Sequence, residues 1–202
     1  GINKTRNTPK TLAIAMGGHN KSRSVGHKNS GLSFGHVNWD TIIKYKNIEY
    51  IVVDADSSDE TQNIIKQFED KISLFICEKD NGIYDGMYKG IKNSTVEIIG
   101  ILNSDDIYSS KNVISEVVKK MSKFNTGTLY ADLIYVNKNN LSRVVRYWKS
   151  GDFSISKLKS GWMLPHPTFF VRKEIYEKAE LSIIDHQALI ECCKDNDITC
   201  LL

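Results

Sequence analysis

At 202 residues, the chain has the length of one domain with a sizeable core. Hydrophobic residues make up 41% and charged residues 25%, ordinary values for a globular protein, and a net charge of +3 on scattered lysines is too small to argue for a nucleic-acid partner. No apolar run approaches the roughly 20 residues needed to cross a bilayer, although a weak attraction to anionic lipid is compatible with the charge.

Residues 1–36 differ from the rest. Leu12 to Met16 is a short apolar run that predicts a first strand. Gly17, Gly18, Gly26, Gly31 and Gly35 follow, with three histidines among them, a composition of loop. A loop this long inside a domain is uncommon and is either functional or poorly ordered.

From Asn38 a regular alternation begins. Trp39 to Lys44 predicts a short helix. Ile48 to Val53 is an apolar, β-branched run ending at Asp54, the signature of a buried parallel strand. Ser57, Ser58 and Asp59 are cap candidates for a helix carrying Ile64, Ile65 and Phe68 on one face. A strand is expected over Ile72 to Cys77, with Cys77 a buried thiol, then a turn at Gly82 and a helix from Tyr84 to Lys92. Glu97 to Leu102 predicts the next strand. Ser110 can cap a helix with Val113, Ile114, Val117, Val118 and Met121 facing inward.

Strand and helix alternating in this way imply an α/β domain with a mainly parallel sheet. After Asn125 the rhythm changes. Leu129 to Val136 and Ser142 to Trp148 read as strands joined by the turn at residues 137–140. Residues 154–160 and 173–179 read as short helices around a strand from Thr168 to Val171, and a last helix is expected from Asp185 to Lys194. The other cysteines, Cys192, Cys193 and Cys200, match no usual zinc spacing, and with no signal-like segment a reducing cytoplasm is expected.

Open α/β sheets bind ligands beyond the carboxyl ends of their strands. Two such ends here are acidic: Asp54, and Asn103-Ser104-Asp105-Asp106. Such residues either cap the next helix or hold a cation. Capping suffices for Asp59, and is one reading of Asp56. For adjacent carboxylates after a buried strand, repulsion of about 4 kcal/mol at ~4 Å and an effective dielectric near 20 favours a divalent ion. Oxygen ligands of this kind suit Mg2+ or Mn2+ shared with substrate phosphates. There is no P-loop and no Gly-x-Gly-x-x-Gly.

Three ordered motifs resemble family 2 glycosyltransferases of the GT-A fold, especially bacterial members that build cell-surface polysaccharide. Val52 to Thr61 is similar to their "VVDGGSTDGT". Glu78 to Ile91 is similar to "EKDNGIYDAMNKGI", with Gly86 and Tyr88 as departures. Val96 to Asp106 is similar to "GDIIGFLNSDD". Tyr130-Ala131-Asp132 resembles their "YGD", and Met163 to Phe170 resembles a further common segment. The likeness runs from about Asn47 to the end, while residues 13–36 do not follow the family's first strand and helix.

The resemblance implies one GT-A nucleotide-diphospho-sugar transferase domain over 1–202, with 1–36 atypical, a nucleotide-sugar-binding half at 37–125 and an acceptor-side half at 126–202. It implies a nucleotide-diphosphate sugar donor, a glycan or lipid-linked acceptor, inverting transfer, Mn2+ or Mg2+, and a place in the cytoplasm at the inner face of the membrane with peripheral contact left open. Asp54 would contact the base or ribose. Asp105 and Asp106 would hold ribose, cation and diphosphate as the DxD motif does, with Asn103 in place of its first Asp. Asp80 and Asp85 would line the donor pocket. His166 would approach the diphosphate or acceptor, or is a hydrogen-bonded loop histidine. Asp185 falls on the family's catalytic base, or is a helix N-cap; Gln187 and Glu191 depart from the pattern around it. The competing expectations are a catalytically inactive relative that keeps the fold and binds a nucleotide or a partner, and an unrelated nucleotide-binding module such as a nucleotidyltransferase.

Overall fold

Two runs of β-branched residues build the centre of the sheet. The computed structural model describes residues 11–16, 47–103, 106–137 and 140–178. Strands β1 (Thr11–Met16) and β2 (Ile48–Asp54) are followed by helix α1 (Thr61–Lys66), β3 (Leu74–Cys77), α2 (Ile83–Asn93), β4 (Ile98–Asn103) and α3 (Val113–Phe124). The second half adds β5 (Thr128–Leu129), β6 (Leu133–Asn137), β7 (Asn140–Trp148), α4 (Ile155–Lys159), β8 (Phe170–Arg172) and α5 (Lys173–Lys178).

Among the described residues the main sheet has the order β3-β2-β1-β4-β8-β5. Strands β1 to β4 run parallel, so their carboxyl ends share one edge. Strand β8 runs antiparallel to both β4 and β5. β6 and β7 form a separate antiparallel ribbon.

Ile51, Val52, Ile98 and Ile99 are fully buried, as expected of parallel strands covered on both faces. One face packs Ile51, Ile99 and Ile101 against Met87 and Ile91 of α2, with Tyr130, Leu164 and Ile175 alongside. The other packs Val52, Ile98 and Leu102 against Ile65 of α1 and Ile114, Val117, Val118 and Met121 of α3. Each such buried aliphatic side chain contributes about 1.5–3 kcal/mol. α3 stops where Asn125 turns left-handed (φ 49°) and donates its N–H to the Met121 carbonyl.

The α/β architecture and the parallel sheet follow the sequence expectation. Several details differ. Leu129–Val136 is not one strand: it breaks at Tyr130-Ala131-Asp132, leaving β5 in the main sheet and β6 in the ribbon. Cys77 is exposed rather than buried, because it ends β3 at the outer side of the sheet. Thr168 lies in a 3-10 turn, His166–Thr168, and the strand begins only at Phe170. No side chain caps α3; Ser110 Oγ instead accepts the N–H of Asn112, the residue before the helix. The helices expected at Trp39–Lys44 and Asp185–Lys194 lie outside the described residues.

Candidate functional site at the carboxyl edge of the sheet

Asp54 and Asn103 end strands β2 and β4, which flank β1. Two strand spacings separate them, about 10 Å. The turn after β3 enters the same edge, so all three motifs converge there through the topology alone.

Asp54 is completely buried. Its Oδ1 accepts Ser57 Oγ at 2.6 Å and its Oδ2 accepts the Ser57 N–H at 2.9 Å. Cys77 Sγ also donates to Oδ2 at 3.6 Å. Partial desolvation first, and Asp54 second, push the Cys77 thiol pKa up. The Asp54 carboxylate thus ties down the loop that follows it. At the turn of that loop Asp56 adopts φ +61°, a left-handed conformation that glycine, asparagine and aspartate tolerate best. It occupies the second glycine of the family motif. Asp59 Oδ1 then accepts the Thr61 N–H at 3.0 Å and secures the start of α1.

The second motif is a clamp. Asp80 Oδ1 accepts the N–H of Gly82 (3.0 Å), whose φ of +128° turns the chain into α2. Asp85, in the first turn of α2, accepts the Asn81 N–H at 2.9 Å. Lys89, one turn on, reaches Asp85 at 3.4 Å, Glu78 at 3.0 Å and the Lys79 carbonyl at 2.9 Å. The Asn81 N–H, with Lys89, holds the Asp85 carboxyl below the usual carboxylate range against partial desolvation. Desolvation draws the Lys89 pKa down, but Glu78 and Asp85 outweigh it and the net shift is upward. Lys89 was not among the sequence candidates; its i,i+4 spacing from Asp85 is a signal that could have found it.

At the third motif, Asn103 Nδ2 donates to Asp106 Oδ2 at 2.7 Å, and the Asp106 N–H donates to the Asn103 carbonyl at 3.0 Å. Asn103 Oδ1 is buried without a hydrogen-bond partner. A buried amide oxygen beside a carboxylate is a donor set that fits a hard divalent cation. Asp105 and Asp185 lie outside the described residues, and among the described residues no three His, Cys, Asp or Glu side chains converge as a metal group.

Beyond Asp106 lies a cleft of about 390 Å³, lined by Asp106, Tyr108, Asp132, Tyr135, Thr168 and Phe170 among others. The 3-10 turn carrying His166 is held beside it: Thr168 Oγ1 donates to the Ala131 carbonyl at 2.7 Å and accepts the Ala131 N–H at 3.3 Å. His166 itself is half-buried and does not line the cleft. Asp132 does. Its Oδ1 accepts Ser150 N–H (2.9 Å) and Oγ (2.7 Å), and its Oδ2 accepts the Tyr147 hydroxyl. The Tyr147 bond first, then Ser150 and Lys149, hold the Asp132 carboxyl below the usual range. The sequence marked Asp132 only as a motif step, since Tyr147 and Ser150 lie 15 and 18 residues away.

Residues 37–180 match the model of the family described as glycosyl transferase family 2. An uncharacterized glycosyltransferase of Mycobacterium tuberculosis is 31% identical over 75 residues, which are 37% of this chain and 29% of that protein. S. aureus TarS 1–349, solved with UDP-GlcNAc, superposes with a TM-score of 0.65 at 15% identity, covering 95% of this chain and 56% of that one. The mannosyltransferase PcManGT of Pyrobaculum calidifontis, solved with GDP-Man and Mn2+, gives 0.54 at 15% identity, covering 86% and 47%. The chain therefore spans about half the length of these solved relatives and a smaller share of the curated one.

Proposed function

Because the chain belongs to glycosyl transferase family 2 and has a GT-A-like α/β fold, we propose that it moves a sugar from a nucleoside-diphosphate donor to a hydroxyl of a glycan or lipid-linked acceptor, with inversion at the anomeric carbon. The observation that carries this reading is the pairing of Asn103 and Asp106 at the end of β4, with an Asn103 amide oxygen that is buried and has no hydrogen-bond partner among the described residues. Asn103, Asp106 and Asp105 would hold Mg2+ or Mn2+, which when bound offsets the charge of the departing diphosphate.

The chain's own groups divide the remaining work. The Asp54–Ser57 lock fixes the loop after β2, where base or ribose would lie. The Asp80–Gly82 turn and the Lys89 clamp fix the donor wall. Asp185 takes the proton of the acceptor hydroxyl as its oxygen bonds to the anomeric carbon and the bond from that carbon to the diphosphate breaks. His166, on the turn beside the cleft, would approach the diphosphate or the acceptor. Support for a nucleotide donor comes from the relatives solved with UDP-GlcNAc and GDP-Man.

The reading is tested by incubating the protein with UDP- and GDP-sugars, Mn2+ and a panel of glycan and lipid-linked acceptors. The expected result is release of nucleoside diphosphate with one product anomer opposite in configuration to the donor. Nucleotide binding with no transfer across the panel would support the inactive relative instead.

A further inference from the structure

Among the described residues, the β6–β7 ribbon is built unlike the rest. Ile134, Tyr135, Leu141, Val144, Val145 and Tyr147 are all exposed, Val145 to 66%. The register divides them between two faces. Ile134, Tyr147 and Val144 share one, and Tyr135 lies on the other with Arg146, whose guanidinium sits over the Tyr135 and Trp148 rings at 5.3 and 5.7 Å. The pairing shifts between Tyr135 and Val136, leaving Val145 as an extra, outward residue. From Leu133 to Ser150 the sequence has no Asp or Glu, while Arg143, Arg146 and Lys149 are exposed.

A ribbon resting on one protein surface needs one apolar face. This one exposes Ile134, Val144 and Tyr147 on one face, and Tyr135 beneath the Arg146 guanidinium on the other. Pairing two copies would bring together two stretches that carry cations and no acids, at a like-charge cost. A medium that surrounds the ribbon and carries negative charge meets both features. We infer that the β6–β7 ribbon inserts into the headgroup region of an anionic lipid surface, with Val144, Val145 and Leu141 in the apolar boundary and Arg143 and Lys149 on lipid phosphates.

The placement also bears on the proposed reaction. Tyr147 and Ser150 tie the base of the ribbon to Asp132, and residues 133–136 wall the cleft that contains Asp106. Docking the ribbon brings that cleft to the membrane, where a lipid-linked acceptor resides; this consequence, unlike lipid binding itself, rests on the transferase reading.

Co-sedimentation with phosphatidylcholine vesicles, alone or containing about a third phosphatidylglycerol, tests it. The intact protein should sediment with the anionic vesicles and not with the neutral ones. Arg143→Gln should weaken binding about fivefold, as one basic residue near such a surface does, and Val144→Asp/Val145→Asp should abolish it. Each variant's melting curve and nucleoside-diphosphate titration should match those of the intact protein, which separates loss of lipid contact from loss of the fold or of the donor site. Absence of binding to anionic vesicles would overturn the inference. So would equal binding by the double variant, or a concentration-dependent dimer that the double variant dissolves.

Discussion

Asn103 gives its amide N–H to Asp106 at 2.7 Å and keeps its own amide oxygen buried and unpartnered. A buried acceptor left unsatisfied costs about 1–3 kcal/mol, so a group that binds there recovers that cost. Asn103→Leu should remove the orphaned oxygen. Its thermal stability without ligand should stay close to that of the intact protein, because relief of the orphaned oxygen offsets the lost bond to Asp106, while stabilisation by Mn2+ plus nucleoside diphosphate falls. A scan with and without both ligands reads the two effects separately.

The clamp at Lys89 predicts a local effect. Lys89→Met removes the bonds to Glu78, Asp85 and the Lys79 carbonyl together. Hydrogen exchange at Asn81 and Gly82 should quicken while that of β2 and β4 stays unchanged. Donor affinity should fall about tenfold through loss of preorganisation. Unchanged exchange at Asn81 would show that the Asp80 and Asp85 carboxylates hold the turn without it.

The Asp132 network carries a pH dependence. Its carboxyl is held below the usual range. A carboxyl with a lowered folded pKa adds stability that is fully present above its unfolded value, near 4, and is lost as pH falls through the folded value. Tyr147→Phe removes the largest cause. The variant should melt earlier at pH 7, and the gap between the two proteins should close as pH falls below about 4. A gap independent of pH would assign the effect to packing alone.

Gly100 in β4 faces Phe170 of β8, and a Cβ there would lie 2.4 Å from the ring. Phe170 is buried, so the ring has little room to yield. Gly100→Ala should cost about 1–3 kcal/mol in a denaturant titration, as overpacking does. A smaller companion residue, as in Gly100→Ala/Phe170→Leu, should restore part of it.

Much of the first half was legible because its signals are local. Val52-Val53-Asp54 and Ile101-Leu102-Asn103 each announce a buried strand with a polar end, and the spacing of Ile114, Val117, Val118 and Met121 announces one helix face. The second half was less legible because long-range partners decide it. Leu129 to Val136 is apolar enough to be one strand. It breaks because Tyr130 donates its hydroxyl to the Gly151 carbonyl and Asp132 is drawn to Tyr147 and Ser150. The site shows the same division. Asp54, Asp85 and Asp106 could be picked out as acids at strand and helix ends. That Asp54 is sealed inside its own loop, and that Asp132 shares a cleft with Asp106, follow only from the folded topology.

In the proposed reaction, the carboxyl edge of β4 binds a nucleoside diphosphate through a divalent cation. Calorimetric titration of UDP and GDP, with and without Mn2+, tests it most directly. One of the two should bind only when Mn2+ is present, and Asp106→Asn should weaken this binding at least tenfold while the melting temperature without ligand is kept. Binding of neither nucleotide in the presence of Mn2+, or binding that is indifferent to both the metal and Asp106, would contradict it.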